Sequence, residues 1–253
     1  MTESEQIKAE INSRRWYHKI PVTLPDGERF CTPGWAPISV ESYRVEPEYI
    51  TGSRVLDIGS WDGFWCFRAW DLGASSVMAI DDFSDDLGKS ECFTRESKWS
   101  NFDLIRSMKP YCGGSNITRQ TMSVYDISRA IKPAGFNAIF AFGLLYHLKH
   151  PTYALERLLG VAEPGCRLFV ESAILDDFVS PYTGRKHDGS GCYAELYPGS
   201  EFGNNATNFS VPTLNGLAAW LEIGGWQVED TWKLTQNPMR LCECRGFARA
   251  VKR

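Results

Sequence analysis

A chain of 253 residues, 43% hydrophobic and 23% charged, holds enough apolar material to bury a full core within one larger domain. A formal net charge of -4 leaves no polybasic footprint and argues against nucleic acid as the default partner. No window approaches the roughly 18 uninterrupted apolar residues of a membrane span, and the first residues carry no apolar signal core, so a cytoplasmic protein without membrane contact is expected.

In chain order, residues 1–18 read as a polar helical leader. The Pro/Gly-punctuated stretch 18–39, with its Asp26-Gly27 turn, reads as an extended hairpin or loop. Residues 1–50 are accordingly taken as an N-terminal helix and cap, and 51–253 as the main domain. From Arg54 strands and helices alternate. "RVLDIG" is a strand, "GFWCFRAWDLGA" a helix closed by Gly73, "SVMAIDD" a strand and "SKWSNFDLIRSMK" a helix. "ITRQTMSVYDI" carries a third strand, "FNAIFAFGLLY" is a fourth, "PTYALERLLGVA" a helix and "CRLFVESAIL" a fifth strand. That rhythm means a parallel sheet covered by helices on both faces. It stops near residue 178, and the Gly- and Tyr-rich segment to 213 shows no clean period. A loop that long in a compact domain is usually functional, so it is read as an acceptor-facing insertion. "LNGLAAWLEIGGW" is then a helix stopped by Gly224-Gly225, and "QVEDTWKLT" and "GFARAVKR" are two closing strands.

Eight cysteines are scattered, with only Cys242 and Cys244 close together and no CxxC pair. Reduced, mostly buried thiols are expected, and no metal site.

Ligands of open parallel sheets bind at the carboxyl ends of the strands. "LDIGSWDGF" places Asp57, Gly59, Trp61 and Gly63 at the first of these ends, where backbone at the glycines can approach a ligand closely. Asp81, followed by Asp82, ends the second strand, where an acid can accept both ribose hydroxyls of an adenosyl cofactor. Tyr125 and Asp126 lie beyond the third strand, where a carboxylate can take the adenine amino hydrogens. Phe142 ends the fourth strand and is counted with the same set. Trp61 stands where a dinucleotide would need bare backbone against its pyrophosphate. A cofactor without phosphate tolerates a side chain there. S-adenosylmethionine, whose sulfonium prefers aromatic faces, fits that condition.

At the stretches "RRWYHKI", "TPGW", "LDIGSWDGFWCF", "GLLYHLKHP", "FVES" and "ELYPGSEFGNNATNFSVPT" the sequence resembles the class I S-adenosylmethionine-dependent methyltransferases. Within them it looks like the tRNA wobble-uridine (5-oxyacetic acid/5-methoxy) methyltransferase-like branch. The resemblance implies an α/β, Rossmann-like sheet of seven strands in the order 3-2-1-4-5-7-6, mostly parallel, with the last strand antiparallel. It implies S-adenosylmethionine as cofactor, S-adenosylhomocysteine as product, and a roof made by the N-terminal segment. By position, Lys19, Trp35 and Tyr146 match residues that hold the cofactor in those enzymes. Their carboxylated cofactor is recognised partly by a C-terminal arginine, for which Arg240 and Arg245 are the candidates here. The long N-terminal extension typical of those enzymes is not expected here, so their substrate is not carried over on the resemblance alone; the acidic balance favours a small-molecule acceptor, with tRNA less favoured and a homodimer left open.

For the transfer itself, His147 follows Tyr146 at the end of the fourth strand, and an imidazole titrating near neutrality suits proton removal from a hydroxyl. A backbone-bonded turn histidine is the competing reading. Glu171, at the end of strand five, is either a base or acceptor-orienting group, or a paired charge. His150 reads as a turn residue, and His187 and Asp188 as acceptor-facing or simply solvated. Trp16, Tyr17, Trp35, Tyr193, Tyr197 and Phe209 could form an aromatic lid or pack individually. The expected function is methyl transfer to a hydroxyl oxygen, or a nitrogen, of a small or sugar-like acceptor. The alternatives are a tRNA wobble-uridine modifier and a non-catalytic adenosyl-ligand-binding subunit. An NAD-dependent oxidoreductase is the outside reading.

Overall fold

The computed structural model describes residues 1–35, 38–84, 95–108, 116–131 and 135–253. Cys92 and Cys112 fall outside these, as do Lys109, at the end of the helix expected over 97–109, and Ala36 and Pro37 of the cap. The other six cysteines are free thiols.

Seven strands form the central sheet: β1 (Arg54–Ile58), β2 (Ser76–Asp81), β3 (Ile117–Thr121), β4 (Phe136–Phe142), β5 (Ala162–Ala173), β6 (Gln227–Lys233) and β7 (Arg245–Val251). Their spatial order is 3-2-1-4-5-7-6, the order the resemblance implied. Strands β1 to β5 pair in parallel, and β7 runs antiparallel to both β5 and β6. The parallel pairing aligns the carboxyl ends of β1, β2, β4 and β5 along one edge. Asp57 stands opposite Phe140, and Phe142 opposite Glu171.

Alternation along the buried strands splits the core into two layers. Leu56, Ile80, Ile139 and Leu168 pack against α4 (Pro151–Leu159) and α5 (Leu214–Ile223) on one face. Val55, Val77, Ala79, Phe140 and Phe169 pack against α2 (Phe64–Asp71) on the other, with α1 (Glu3–Ser13) and α3 (Arg95–Met108) closing that side. The helix ends follow their chemistry. Thr2 and Glu5 make a capping box on α1. Pro151 opens α4 at a position with no donor to lose. Thr213 accepts from the Gly216 N–H at the start of α5. Trp226, just past α5, donates its indole N–H to the Leu155 carbonyl at 3.0 Å and locks the two helices together.

Two decorations lie over the carboxyl edge. The first is the N-terminal cap, a hairpin of Pro21–Thr23 and Arg29–Cys31 turning at Gly27. Beyond it the chain comes back beside residues 17–19. Trp35 N–H donates to the Tyr17 carbonyl at 2.8 Å, and Lys19 N–H to the Trp35 carbonyl at 3.2 Å. Gly34 is required there, because a Cβ would fall 2.0 Å from the His18 carbonyl oxygen. The second decoration is the 178–213 insertion. It holds a short hairpin, Ala194–Leu196 with Ser210–Pro212, around Leu175, Tyr197, Phe202 and Val211. At its base Asp176 accepts from Leu214 N–H at 2.8 Å and pairs with Lys233 at 2.9 Å.

Candidate functional site

The turn after β1 is a run of backbone exceptions. Gly59, Trp61 and Gly63 all have positive φ, +67°, +54° and +91°. Two of the three are glycine, the residue that meets this geometry without strain. Trp61 adopts it because the turn is tied down on both sides. Gly59 N–H donates to the Ile80 carbonyl at 2.9 Å, and Trp61 N–H donates to Asp81 Oδ2 at 2.9 Å. Asp81 Oδ1 accepts from Phe83 N–H at 2.7 Å, so the acid ending β2 faces the turn. The Trp61 ring packs on Tyr17 of the cap, with ring centroids 4.9 Å apart.

Asp57, 3% exposed, accepts from the Cys66 thiol of α2 at 3.1 Å. Burial pushes its carboxyl up to about 7. The Cys66 hydrogen bond and His18 pull it back, and Asp81 adds to the rise. Asp62 is buried as well and joins the turn to the cap. Its Oδ2 accepts from the backbone N–H groups of Tyr17 at 3.1 Å and His18 at 2.9 Å, and its Oδ1 pairs with the imidazole Nδ1 of His18.

Across the edge, a short turn after β4 presents Tyr146 and His147. Arg245, at the start of β7, reaches both strands. Its Nε donates to Glu171 Oε1, its Nη2 donates to the Tyr146 hydroxyl at 3.2 Å, and its Cζ lies 5.0 Å from that ring's centre. Burial alone would pull the Arg245 pKa down. The charge of Glu171 more than offsets that and keeps the guanidinium protonated. Burial, reinforced by Glu171, likewise pushes the Tyr43 phenol well above its usual range. His147 Nδ1 lies 3.3 Å from the Thr207 carbonyl oxygen, and Phe209 N–H donates to the Tyr146 carbonyl at 2.9 Å. These two contacts fasten the insertion to the β4 turn.

Both sides open on one cavity of about 640 Å³. From the expected set it brings together Asp57, Gly59, Trp61, Phe142, Tyr146, His147, Glu171 and Trp35, the last 57% exposed at the rim. Gly63 stays behind the turn as the N-cap of α2, and Lys19 is exposed outside the cavity. Asp81 is not on the wall and meets the turn through the Trp61 N–H. Asp82 and Tyr125 are not on the wall, and Asp126 is exposed beyond β3. Tyr125 instead accepts from His150 N–H at 3.0 Å, with His150 capping α4. Of the two arginine candidates, Arg245 meets Tyr146, whereas Arg240 sits at the rim, exposed and paired with Glu243.

The aromatic lid is smaller than expected. Tyr17 and Trp35 reach the cavity, while Trp16 and Tyr197 are core. Tyr193 pairs with His187, and Phe209 lies under Lys149. His187 and Asp188 are off the wall, and the insertion contributes Phe202, Asn205 and Asn208 instead. His18, Asp62 and the two asparagines were not among the expected site residues. The "YHKI" and "WDG" stretches held the signal for the first two, since a histidine and an aspartate there have no apolar pattern to serve. Two buried polar atoms of the wall residues, Ser60 Oγ and Asn208 Oδ1, have no hydrogen-bond partner among the described residues. Native structures rarely leave such groups unpaired, so each is suited to meet a ligand atom. Among the described residues no group of three or more His, Cys, Asp or Glu could hold a metal ion, and no helix is long and apolar enough to cross a membrane.

Strand order, turn and cavity together define the fold of the class I S-adenosylmethionine-dependent methyltransferases. The structure is similar to an S-adenosylmethionine-dependent methyltransferase from Mesorhizobium loti, with a TM-score of 0.58 and 14% identity over 84% of this chain and 96% of that one. It is equally similar to the N-terminal domain of EvdMO1, solved in the presence of S-adenosylhomocysteine and D-fucose, with a TM-score of 0.58 and 16% identity over 100% of this chain and 98% of that one. By sequence it is 23% identical over 184 residues to a tRNA U34 carboxymethyltransferase of Azotobacter vinelandii, covering 72% of this chain and 48% of the relative. The chain thus spans about half the length of the curated relatives it matches. No family model matches the sequence.

Proposed function

We propose that this protein is an S-adenosylmethionine-dependent methyltransferase acting on a hydroxyl oxygen, or less readily a nitrogen, of a small or sugar-like acceptor. The observation that carries the reading is the shared cavity. It joins the glycine turn and Asp57 on one side to Tyr146, His147 and the polar residues of the insertion on the other. Its volume lies in the range of small-molecule sites. The residues suit the cofactor. Asp81 is the acid that ends β2 and is fixed beside the glycine turn by the Trp61 and Phe83 N–H groups, the place expected for the ribose hydroxyls; Ser60 offers an unpaired hydroxyl, and Trp61 replaces the bare backbone that a pyrophosphate would need.

When bound, the cofactor supplies a methyl group on a cationic sulfur, open to displacement. The protein supplies alignment and a proton acceptor. His147 takes that second role. An Nδ1–H directed at the Thr207 carbonyl leaves Nε2 as the basic nitrogen of the ring. Glu171 is committed to Arg245, so it orients the guanidinium and, through it, the Tyr146 hydroxyl at the acceptor side. Asn208 Oδ1 accepts from an acceptor hydroxyl. The D-fucose found with EvdMO1, a protein of this fold, favours a sugar-like acceptor.

The named activity of the sequence relatives favours a second reading, a tRNA wobble-uridine modifier. The net charge of -4 counts against it. Calorimetric titration separates the readings. S-adenosylhomocysteine should bind the wild type, and Asp81→Ala should weaken it by about 10-fold or more, the loss of a charged hydrogen-bond acceptor. If neither S-adenosylhomocysteine nor S-adenosylmethionine binds, the reading is wrong. A tRNA transcript that binds tightly, and releases steeply with salt, would establish the second.

A further inference from the structure

Asn208 belongs to the cavity wall yet is only 5% exposed, and its Oδ1 makes no hydrogen bond among the described residues. The other end of the carboxamide is committed. Nδ2 donates to the Phe202 carbonyl at 2.8 Å. A carbonyl has no hydrogen to give, so only the amino end can face it, and a flipped carboxamide would set oxygen against oxygen. The turn that carries the side chain is tied at each step. Asn205 Oδ1 accepts from the Thr207 N–H at 2.9 Å and from the Thr207 hydroxyl at 2.8 Å. The Asn208 N–H donates to the Asn205 carbonyl at 3.2 Å. Gly203, at a φ of +64°, passes so close that a Cβ there would lie 3.4 Å from Nδ2. A buried carbonyl oxygen held in this way is satisfied only by a group that brings a hydrogen. The same turn fixes a second group, since the Thr207 carbonyl oxygen lies 3.3 Å from Nδ1 of His147.

We propose that Asn208 selects the acceptor by demanding a second hydrogen-bond donor, so that the substrate is a diol or amino alcohol of the kind a sugar presents. This rests on the methyltransferase reading and narrows its acceptor to a class. The reason is a count of protons. A hydroxyl carries one, and in the methyltransferase reading the proton of the methylated hydroxyl passes to His147. The hydrogen that satisfies Asn208 therefore comes from another group of the same molecule. His147 and Asn208 are fixed by one turn of the insertion, so the two groups they serve are near each other on the ligand. A simple alcohol, or a diol whose second hydroxyl is already an ether, leaves the buried oxygen unpaired and is rejected. The wall beside it is largely apolar, with Phe202, Leu241 and the Tyr146 ring in one cluster. That is a poor place for a water molecule to stand in for the missing donor.

Protein saturated with S-adenosylhomocysteine has no methyl group to give, so acceptor binding can be read by itself. Three probes on one six-membered ring isolate the second donor. Cyclohexane-1,2-diol carries two donors, 2-methoxycyclohexanol keeps both oxygens but one donor, and cyclohexanol has one oxygen and one donor. In NMR titrations the wild type should bind the diol about 10-fold or more tightly than either of the others, the effect of one buried acceptor left unpaired. A crystal of the diol complex should place a hydroxyl within hydrogen-bond distance of Asn208 Oδ1. Asn208→Leu keeps the size of the side chain and removes its oxygen, and should bring the three probes within about 2-fold of one another. Its affinity for S-adenosylhomocysteine should stay within about 2-fold, which shows that the variant is folded. The wild-type series stands by itself should Asn208→Leu not fold. A single-donor probe that matches the diol in the wild type, a diol that does not bind, or a preference that survives Asn208→Leu overturns the assignment. With S-adenosylhomocysteine bound, any of these outcomes removes only the role of Asn208. A wild type that does not bind S-adenosylhomocysteine removes the methyltransferase reading as well.

Discussion

Asp57→Asn is expected to stabilise the cofactor-free protein at alkaline pH far more than at acid pH. Burial moves the Asp57 carboxyl from 3.8 up to about 7, with the Cys66 hydrogen bond and His18 too weak to cancel it. Below the unfolded value the acid is protonated in both states and imposes no cost. As the pH rises past it, the unfolded chain ionises while the folded chain holds the proton, so stability falls. The fall levels off once the pH passes the folded value of about 7. A displacement of about three pH units at 1.36 kcal/mol each gives a penalty of about 4 kcal/mol at pH 8 and about 1 kcal/mol at pH 4.5. That is a readable share of the roughly 5–15 kcal/mol total stability of a domain. Asparagine keeps an oxygen to accept from Cys66 and carries no charge, so the variant escapes the penalty. Urea unfolding of both proteins at the two pH values measures it. A variant-minus-wild-type difference that is the same at pH 4.5 and pH 8, or a wild type that is the more stable at pH 8, would refute the reasoning.

Glu171→Gln leaves the Arg245 guanidinium buried without its counter-charge and should cost about 3–5 kcal/mol in urea unfolding. Adding Arg245→Met should recover most of the loss, and a single-variant cost under about 1 kcal/mol would show that the pair contributes little. Gly63→Ala places a Cβ 2.5 Å from the Phe102 ring at a φ of +91° and should destabilise by about 2 kcal/mol or more. Gly27→Ala has a similar φ of +86° but no atom within 4 Å, so it should cost only about 1 kcal/mol. Equal melting temperatures for the two glycine variants would contradict the packing argument.

The residues legible in advance are those whose role is local. Gly59 and Gly63 announce a turn because only glycine takes positive φ without strain, and Asp57 and Asp81 announce strand ends because an acid closes each apolar run. Lys19 shows where that kind of reading stops. The positional match to the related enzymes pointed to the lysine, but in an extended segment adjacent side chains diverge, and the phase set by the Asp62 contacts turns His18 inward and Lys19 outward. The insertion misled in the same way. His187 and Asp188 look chemically suited, yet the hairpin strands of Ala194–Leu196 and Ser210–Pro212 are too short to show a period, and their pairing sends residues 202–208 to the cavity instead.

The sequence by itself determined the alternation of strands and helices, the two-sided core and the cofactor turn, because these depend on hydrophobic period and on backbone geometry a few residues long. The pairs that build the site join distant parts of the chain: His18 with Asp62 across 44 residues, and Glu171 with Arg245 across 74. Their meeting depends on the register of β5 against β7 and on the path of the cap over the turn. Only the assembled tertiary structure decides those, since no local propensity records which distant partner a buried charge will find.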